Sequence, residues 1–485
     1  MEEWTSRRKR LVLATLCATM FMAMLDNVIV NNALPRIGRD LHAGVDGLQW
    51  VAEGYSLVYA ALLLTGGTLG DRYGRRRVFL IGLALFTAGS AAAGLSWSTA
   101  TLVGARMVQG VGAALLTPGS LSILRHVYTD ERERARAVGV WSAVSGLGLA
   151  VGPVLGGPVV EAFGWSGVFW INVPIGLACL LLAARTLPEF SNGVPRLDLP
   201  GQLLSALGLA ALVYALIEGP GHGWTDRTVL GCLAAAALLL PAFLLVERRT
   251  RTPMFDLRLF RDRLLSGAVL SGFMVSFGMF GAVFFLPLLM QDVMGWAPAD
   301  AGLAGLPSTV MIVAAAPVAG SLTARYGPRP PLVTGLALCA LALAGLSLYG
   351  EGARYPQYFW VLLVMGFGMG LTFAPVSITV MRQVEPARAG MASATVNTLR
   401  ELGGVIGVVV LGAILATRLP DGSTGPGADG PAFVAGLHLA LRCGSAALAA
   451  TAVVAAVLLR PHRPRVPSPA GGAAPAPRPV GARVP

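Results

Sequence analysis

Three ionisable side chains, Asp26, Glu53 and Arg106, lie inside long apolar stretches of the chain. If each stretch spans a bilayer, a rise of about 1.5 Å per residue places all three roughly 8 Å from the outer surface. A carboxylate at such a depth is costly unless it is protonated, paired or exposed to water, so it can exchange a proton near neutral pH. We predict that the three residues form one proton-coupling cluster. Two alternatives stay open: Glu53 could merely lie at the interface, and Arg106 could serve only as a counter-ion in helix packing.

The composition indicates which elements position these side chains. Hydrophobic residues make up 55% of the 485 residues and charged residues only 13%, whereas soluble proteins have about 25% charged residues. A spanning helix needs about 20 apolar residues, and this length divides the chain into fourteen candidate spans. They are residues 11–33, 48–69, 78–96, 101–124, 136–160, 167–187, 200–217, 228–246, 264–290, 301–324, 331–349, 357–381, 391–416 and 433–459. The sequence therefore predicts an all-α polytopic membrane protein.

The basic residues predict the orientation of these spans. With the N-terminus in the cytoplasm, the inner segments hold 29 of the 37 basic residues and the outer loops hold five. The positive net charge is therefore a topology signal and gives no support for nucleic-acid binding. We predict that both termini, residues 1–10 and a proline-rich, disordered tail at 461–485, are cytoplasmic.

A short sequence occurs twice at a constant offset. Residues 67–77 read GTLGDRYGRRR and residues 320–330 read GSLTARYGPRP, with six of eleven positions identical at an offset of 253. The repeat predicts two six-helix bundles, at 11–190 and 264–460, with two inserted spans and a cytoplasmic linker at 191–263. Two halves related by an axis along the membrane normal are typical of alternating-access transporters, whose binding site lies between the halves.

Further motifs follow one another in particular spans. They are LDNVIVNNALP at 25–35, RMVQGVG at 106–112, GLAVGPVLGGP at 148–158, FWINVPIG at 169–176 and NTLRELG at 397–403. Together with the loop motif at 67–77, this ordered set resembles the major facilitator superfamily, in particular its fourteen-span branch of drug:proton antiporters. The resemblance covers residues 11–460 and implies the fold of that superfamily. Two positions depart from the branch: Asn27 stands where Thr or Ser is more usual, and Glu401 where Gln is more usual.

The resemblance implies that the loop motif latches the outward-facing state without touching substrate. The residues concerned are Gly67, Asp71, Arg72, Gly74, Arg75 and Arg76. Ala324 replaces the acidic residue in the second copy, so we expect the latch to be asymmetric. A plain positive-inside loop would explain the arginines but not the spacing of the glycines.

The resemblance implies that two other groups of residues take part in transport. The fifth-span "antiporter" motif contains Gly148, Gly152, Pro153, Gly156 and Gly157, which could equally form a close-packed helix face with no role in exchange. Polar residues that could line the cavity are Asn31, Gln109, Asn397, Arg400 and Glu401. Glu401 could pair with Arg400 or supply an acid for a cationic substrate.

These observations predict a proton-driven exporter of amphipathic drugs, antibiotics or secondary metabolites in the cell membrane. Its partners would be the small-molecule cargo, protons and the lipid bilayer, and we expect a monomer with no cofactor, no metal and no nucleic-acid partner. A proton-coupled transporter of one specific metabolite would have the same fold and is the alternative. The sequence has no P-loop, zinc motif or Ser-His-Asp arrangement, so we predict that the chain is not an enzyme.

Overall fold

The computed structural model describes residues 6–191, 198–250, 260–350, 352–383, 389–419 and 430–459, and over these ranges the regular structure is entirely helical. In chain order the helices α1 to α17 are Ser6–Ile29, Leu34–Leu41, Val45–Tyr73, Arg75–Gly94, Thr99–Val127, Glu131–Phe163, Gly167–Trp170, Asn172–Thr186, Leu199–His222, Arg227–Arg249, Arg263–Leu288, Pro298–Ala304, Leu306–Tyr326, Arg329–Leu346, Tyr355–Gln383, Ala389–Ala416 and Gly430–Leu458. A 3-10 turn, Val30–Asn32, follows α1, and a π-helical turn, Leu289–Val293, follows α11. The predicted tail at 461–485 lies outside the described residues.

Thirteen helical segments in the described residues are long and apolar enough to cross a membrane. The other long helix, α3, has 29 residues and coincides with the second predicted span, but it carries polar side chains such as Gln49 and Glu53. Every predicted span therefore coincides with a helix. The count of fourteen membrane crossings stays a prediction.

Polar side chains begin several of the helices. Asp226 accepts hydrogen bonds from the backbone N–H groups of Thr228 and Val229 at the start of α10, and these bonds hold the pKa of its carboxyl below the usual range. Ser98 forms a reciprocal capping box with Thr101 at the start of α5. Such caps satisfy N–H groups that have no partner in the first helical turn, which explains why the helices begin at these residues.

Two groups of helices pack in the same way. In the N-terminal bundle α1 packs against α6 and α8, and α5 packs against α3 and α4; in the C-terminal bundle α11 packs against α16 and α17, and α15 packs against α13 and α14. The corresponding helices follow the same order along the chain. The predicted repeat of two six-helix bundles is therefore present in the tertiary structure.

The two copies of the loop motif also share their local structure. Gly74 between α3 and α4 has a φ of 106°, and Gly327 between α13 and α14 has a φ of 80°, in a region that favours glycine. The guanidinium carbon of Arg72 lies 5.2 Å from the ring centre of the tyrosine that follows it, and Arg325 lies 5.2 Å from the ring of its own following tyrosine. The identical positions of the sequence repeat thus form the same turn.

The inserted helices α9 and α10 pack against each other, and α9 also contacts α3 and α16. Gln202 of α9 donates a hydrogen bond to the carbonyl oxygen of Ala61 at 2.7 Å. Trp50 donates one to the carboxylate of Glu218 at 2.8 Å. Because α3 belongs to one bundle and α16 to the other, α9 lies across the boundary between the two bundles.

The two bundles contact each other at one end, which we call the closed end. There Gln49 of α3 donates a hydrogen bond to the carbonyl oxygen of Val408 in α16 at 2.9 Å. Gln291 of the C-terminal bundle donates one to the carbonyl oxygen of Asn32 at 3.1 Å. The loop motif at 67–77 lies at the opposite end, because α3 begins at the closed end and runs for 29 residues before it reaches Tyr73.

Candidate functional site

Asp26 of α1 is fully buried, and its carboxylate lies among polar side chains of three other helices. Arg106 of α5 donates through Nη1 to Oδ2 at 2.5 Å, while Gln109 of α5 and Asn172 of α8 donate to Oδ1 at 3.1 and 2.6 Å. Both amides also donate to the hydroxyl of Ser90 in α4, at 3.2 and 3.0 Å. Both carboxylate oxygens therefore have donors, which is the arrangement that a buried charge requires.

Arg106 is fully buried as well and has partners other than Asp26. Its Nε donates to the carbonyl oxygen of Val51 at 3.2 Å, and its Nη1 also donates to Gln109 at 3.1 Å. The guanidinium carbon lies 4.5 Å from the ring centre of Tyr55 and 5.8 Å from that of Phe169. These contacts hold the guanidinium in place independently of the carboxylate.

The carboxylate of Glu53 lies outside this set of hydrogen bonds, although the charge of Arg106 acts on it, and its membership of the proton-coupling cluster stays a prediction. Val51 and Tyr55 are four residues apart on α3 and share the face that contacts Arg106. Glu53 is two residues from both, and residues at that spacing point away from each other on a helix. Its side chain instead lines a cavity between the two bundles.

The cavity receives residues from α1, the 3-10 turn that follows it and α3 of one bundle, and from α11 and α16 of the other. Its lining residues are Asn27, Asn31, Ala52, Glu53, Ser56, Phe280, Phe284, Glu401, Gly404, Val405 and Val408. Asn31 and Glu401 thus lie where we predicted. Gln109 belongs to the Asp26 cluster instead, and Asn397 and Arg400 are not among the residues that line the cavity.

Arg400 and Glu401 form an ion pair, which is one of the two alternatives that the sequence left open for Glu401. The guanidinium Nη2 of Arg400 lies 3.4 Å from Oε1 of Glu401. The side chain of Arg400 is 32% exposed and that of Glu401 only 11%. The acid therefore lies deeper between the bundles than its partner.

Two members of the Asp26 cluster were missed by the sequence analysis. Asn172 lies in the FWINVPIG segment, where an amide in an apolar span was a usable signal. Ser90 carried no such signal, because single serines are frequent in spanning helices. Its position opposite Asp26 depends on how α4 packs against its neighbours.

The loop motif is tied to the end of the N-terminal bundle. Asp71 forms an ion pair with Arg75 one turn later. The backbone N–H of Arg75 donates to the carbonyl oxygen of Phe190 at 2.9 Å, and the N–H of Arg77 donates to Glu189 at 3.2 Å. These contacts hold the turn between α3 and α4 against the segment that follows α8.

The other residues of the motif have simpler surroundings. Gly67 faces Pro118 of α5, and Arg76 donates a hydrogen bond to the carbonyl oxygen of Ala184. Arg72 is exposed. Gly74 adjoins the carboxylate of Glu189 so closely that a Cβ would collide with it.

The glycines of the fifth-span motif lie on two faces of α6. A side chain on Gly148, Gly152 or Gly156 would meet α1, near Phe21, Val28 and Ile29 respectively. Gly157 instead contacts the backbone of α12 in the other bundle, and Pro153 contacts Gly302 of the same helix. The motif therefore brings α6 close to α1 within its own bundle and to α12 at the closed end.

Two helical bundles with the same packing order and a cavity between them are the architecture of polytopic alternating-access transporters. The family model described as Major Facilitator Superfamily matches residues 16–408. The chain belongs to that superfamily, and it is a transporter and not an enzyme.

Several named relatives are similar to this chain over most of their length. The chain is 40% identical over 414 residues to the multidrug resistance protein Stp of Mycobacterium tuberculosis, covering 84% of this chain and 77% of Stp. It is 37% identical over 405 residues to the tetracenomycin C resistance and export protein of Streptomyces glaucescens, covering 83% and 75%. It is 36% identical over 459 residues to the puromycin resistance protein pur8 of Streptomyces alboniger, covering 92% and 90%.

Solved structures confirm the fold. A bacterial homologue of the human lysosomal transporter Spinster, described as inward-facing and unoccupied, matches with a TM-score of 0.66 at 17% identity and covers 94% of this chain and 97% of its own. A peptide transporter POT mutant in complex with sulfate matches with a TM-score of 0.64 at 17% identity, covering 92% and 95%. Both share the fold of this chain over more than nine tenths of its length.

Proposed function

We propose that the chain is a proton-coupled exporter of amphipathic drugs, antibiotics or secondary metabolites, of the fourteen-span antiporter branch. The observation that carries this proposal is the sequence identity of 36–40%, over most of the chain, between this protein and proteins named for drug resistance or export. The buried pair of Asp26 and Arg106 supports the coupling to protons, because a carboxylate inside a spanning bundle is a natural proton carrier.

The predicted orientation assigns the conformation that the structure represents. With the N-terminus in the cytoplasm, the closed end faces the outside and the structure corresponds to an inward-facing state. In that state Asp26 is paired with Arg106, and cargo enters between the bundles from the cytoplasm. Once the closed end opens, cargo leaves to the outside, and a proton from the outside binds Asp26.

The partners of Asp26 constrain how the proton reaches it. Arg106, Gln109 and Asn172 all belong to the N-terminal bundle, so a rigid rotation of the two bundles does not separate them from Asp26. Proton binding therefore needs a local rearrangement within that bundle. Asn27 follows Asp26 directly and lines the cavity, so we propose that α1 connects the proton site to the cargo site.

Reporter fusions test the predicted orientation. Fusions after Arg77 and Arg263 should report the cytoplasm, and a fusion after Gly221 should report the outside, because basic loops stay on the cytoplasmic side. Alkaline phosphatase and green fluorescent protein fusions measure the two locations independently. A reversed location at any of the three positions would show that the number of spans before it is wrong.

The loop motif is expected to control conformational change. Asp71→Asn removes the charge that pairs with Arg75, and a charge-assisted hydrogen bond contributes about 1.5–3 kcal/mol. We therefore expect transport to fall roughly tenfold while the amount of protein in the membrane is unchanged. Ala324→Asp, at the matching position of the second copy, should have a smaller effect. Equal transport by Asp71→Asn and the unchanged chain would remove the latch role.

Inside-out membrane vesicles test the proposed function as a whole. Puromycin and tetracenomycin C, after which two relatives are named, are the first cargoes to add to vesicles with an acidified interior. An exchanger moves cargo inward and protons outward, which a pH-sensitive dye reports as a loss of the gradient. Movement of neither compound would contradict drug export, and movement without any proton release would contradict proton coupling.

A further inference from the structure

The polar cluster around Asp26 contains one buried acceptor atom that no hydrogen bond uses. Asn172 of α8 is fully buried, and its Nδ2 donates to Asp26 at 2.6 Å and to Ser90 at 3.0 Å. Its carbonyl oxygen Oδ1 has no hydrogen-bond partner among the described residues. A buried acceptor without a donor is unfavourable, so its presence beside a proton site needs an explanation.

The other acceptors in the cluster are already occupied. The hydroxyl of Ser90 donates to the carbonyl oxygen of Phe169 at 2.9 Å. It also accepts from both amides, so its one proton and both lone pairs are used. The carbonyl oxygen of Gln109 accepts from Arg106 at 3.1 Å, and this bond fixes the orientation of that amide. Of the two amides that reach the carboxylate, only that of Asn172 is free to turn.

Binding of a proton reverses what the carboxylate of Asp26 needs from its neighbours. An ionised carboxylate only accepts hydrogen bonds, whereas a protonated one has an O–H that must donate. A proton on Oδ2 would meet Arg106, which is itself a donor, so Oδ1 is the oxygen that remains. There Gln109 and Asn172 both present N–H groups, and one of them has to give way to an acceptor.

The ionisable groups that act on Asp26 from the helices around it are Arg106 of α5 and Tyr55 of α3. The ring centre of Tyr55 lies 4.5 Å from the guanidinium carbon, and its hydroxyl is buried without a partner among the described residues. This hydroxyl makes no hydrogen bond to the carboxylate, whereas the amide of Asn172 is already within hydrogen-bond distance of Oδ1. No charged side chain lies in the middle of α4, α6 or α8, at residues 78–94, 137–160 and 172–184.

The geometry points to Asn172 as the positioning residue that stabilises the protonated form of Asp26 by turning its amide over. The inference rests on the proposed coupling of export to protons and adds a residue to it. A half-turn about the Cβ–Cγ bond exchanges Oδ1 and Nδ2, and this torsion of asparagine is broad and roughly two-fold. The new O–H of Asp26 then donates to the amide carbonyl. One atom of the amide is unpaired before and after the turn, so the turn itself costs little.

The proton comes from water on the outer side, and its binding to the carboxylate oxygen forms one O–H bond. When the proton leaves to water on the cytoplasmic side, the carboxylate again needs donors, and the amide of Asn172 turns back. The orientation of this amide therefore follows the occupancy of the proton site. The turn also supplies a local rearrangement within the N-terminal bundle, which proton binding requires.

Infrared difference spectroscopy tests this inference in the purified chain reconstituted in nanodiscs. The chain contains asparagine labelled with a heavy carbon isotope at the side-chain carbonyl, and the spectrum at neutral pH is subtracted from that at acidic pH. Acidification should produce a protonated carboxyl band that is absent in Asp26→Asn. The same step should move one labelled carbonyl band to lower frequency, because that oxygen gains a hydrogen bond. This shift should be absent in Asn172→Leu and in Asp26→Asn.

Tyr55→Phe is the matched control, because it removes the buried hydroxyl beside Arg106, and the shift of the labelled band should persist in it. Asn172→Ser carries a hydroxyl, which both donates and accepts, and it also identifies the band if Asn172→Leu does not fold. We expect Asn172→Leu to slow proton-driven efflux roughly tenfold and Asn172→Ser to retain more of it. Exchange of labelled for unlabelled cargo without a gradient should be unchanged in both.

A protonated carboxyl band of Asp26 without any shift of the labelled carbonyl would overturn the inference and leave the proton site in place. Persistence of the shift in Asn172→Leu or Asn172→Ser, or its loss in Tyr55→Phe, would overturn it as well. Equal loss of efflux and exchange in the Asn172 variants would show a merely structural role. Absence of the Asp26 band would contradict the proposed proton coupling itself, and the role of Asn172 with it.

Discussion

Asp26→Asn is expected to abolish proton-coupled export while leaving the protein in the membrane. Asparagine has nearly the same shape as aspartate but cannot carry a proton on and off. Leaving the buried guanidinium of Arg106 without its anion has a cost, but Arg106 keeps its bonds to Val51 and Gln109 and its contacts with two aromatic rings, so the bundle should still fold. Uphill efflux should therefore drop to the background level, whereas exchange of labelled for unlabelled cargo without a gradient should persist.

Asp40→Asn is the control for this experiment. Asp40 forms an ion pair with Arg36 in which both side chains are well exposed, at 39% and 51%, and such pairs contribute little. Export should be unchanged in this variant. If Asp26→Asn exported normally and still released protons on addition of cargo, Asp26 would not be the coupling residue, and Glu53 would be the next candidate.

Arg106→Met is expected to have the largest effect on stability. The change leaves the carboxylate of Asp26 buried without its cation, and breaking a buried pair in this way costs about 3–5 kcal/mol. Combining it with Asp26→Asn removes the unpaired charge, so the double variant should recover about 1–3 kcal/mol of the loss. Unfolding in mixed micelles with increasing denaturing detergent measures the free energy of unfolding for each variant.

Arg36→Met provides the comparison at an exposed ion pair and should change the free energy of unfolding by less than about 1 kcal/mol. A cost for Arg106→Met as small as that for Arg36→Met would mean that the buried pair does not stabilise the N-terminal bundle. Additive effects of Asp26→Asn and Arg106→Met would mean that the two side chains are not energetically coupled.

The helices and the similar depth of Asp26 and Arg106 in their spans could be predicted because both depend on local properties of the sequence. Apolar length determines where spans lie, and a rise of about 1.5 Å per residue gives the depth of a side chain in the bilayer. Depth does not give direction around the helix axis, so it could not decide which side chains Glu53 would contact. The spacing of Val51, Glu53 and Tyr55 on α3 shows that Glu53 cannot share the face of the other two.

One further member of the Asp26 cluster could have been predicted from spacing alone. Gln109 is three residues from Arg106 and therefore lies on the same helix face.

Other parts of the site depended on tertiary packing. Ser90 and Asn172 lie on helices whose rotation relative to α1 is not encoded in any one segment. Glu53 and Glu401 belong to different bundles, and the packing of α3 against α16 brings them to one cavity.

The most direct test of proton-coupled export is the cargo gradient at which net transport reverses. The purified chain is reconstituted in liposomes with the membrane potential clamped at zero, and net flow of puromycin is followed at several imposed pH gradients. An exchanger of cargo and protons reverses at a cargo gradient that shifts in proportion to the pH gradient, and Asp26→Asn should remove this shift. Reversal of the unchanged chain at equal cargo concentrations, whatever the pH gradient, would contradict proton-coupled export.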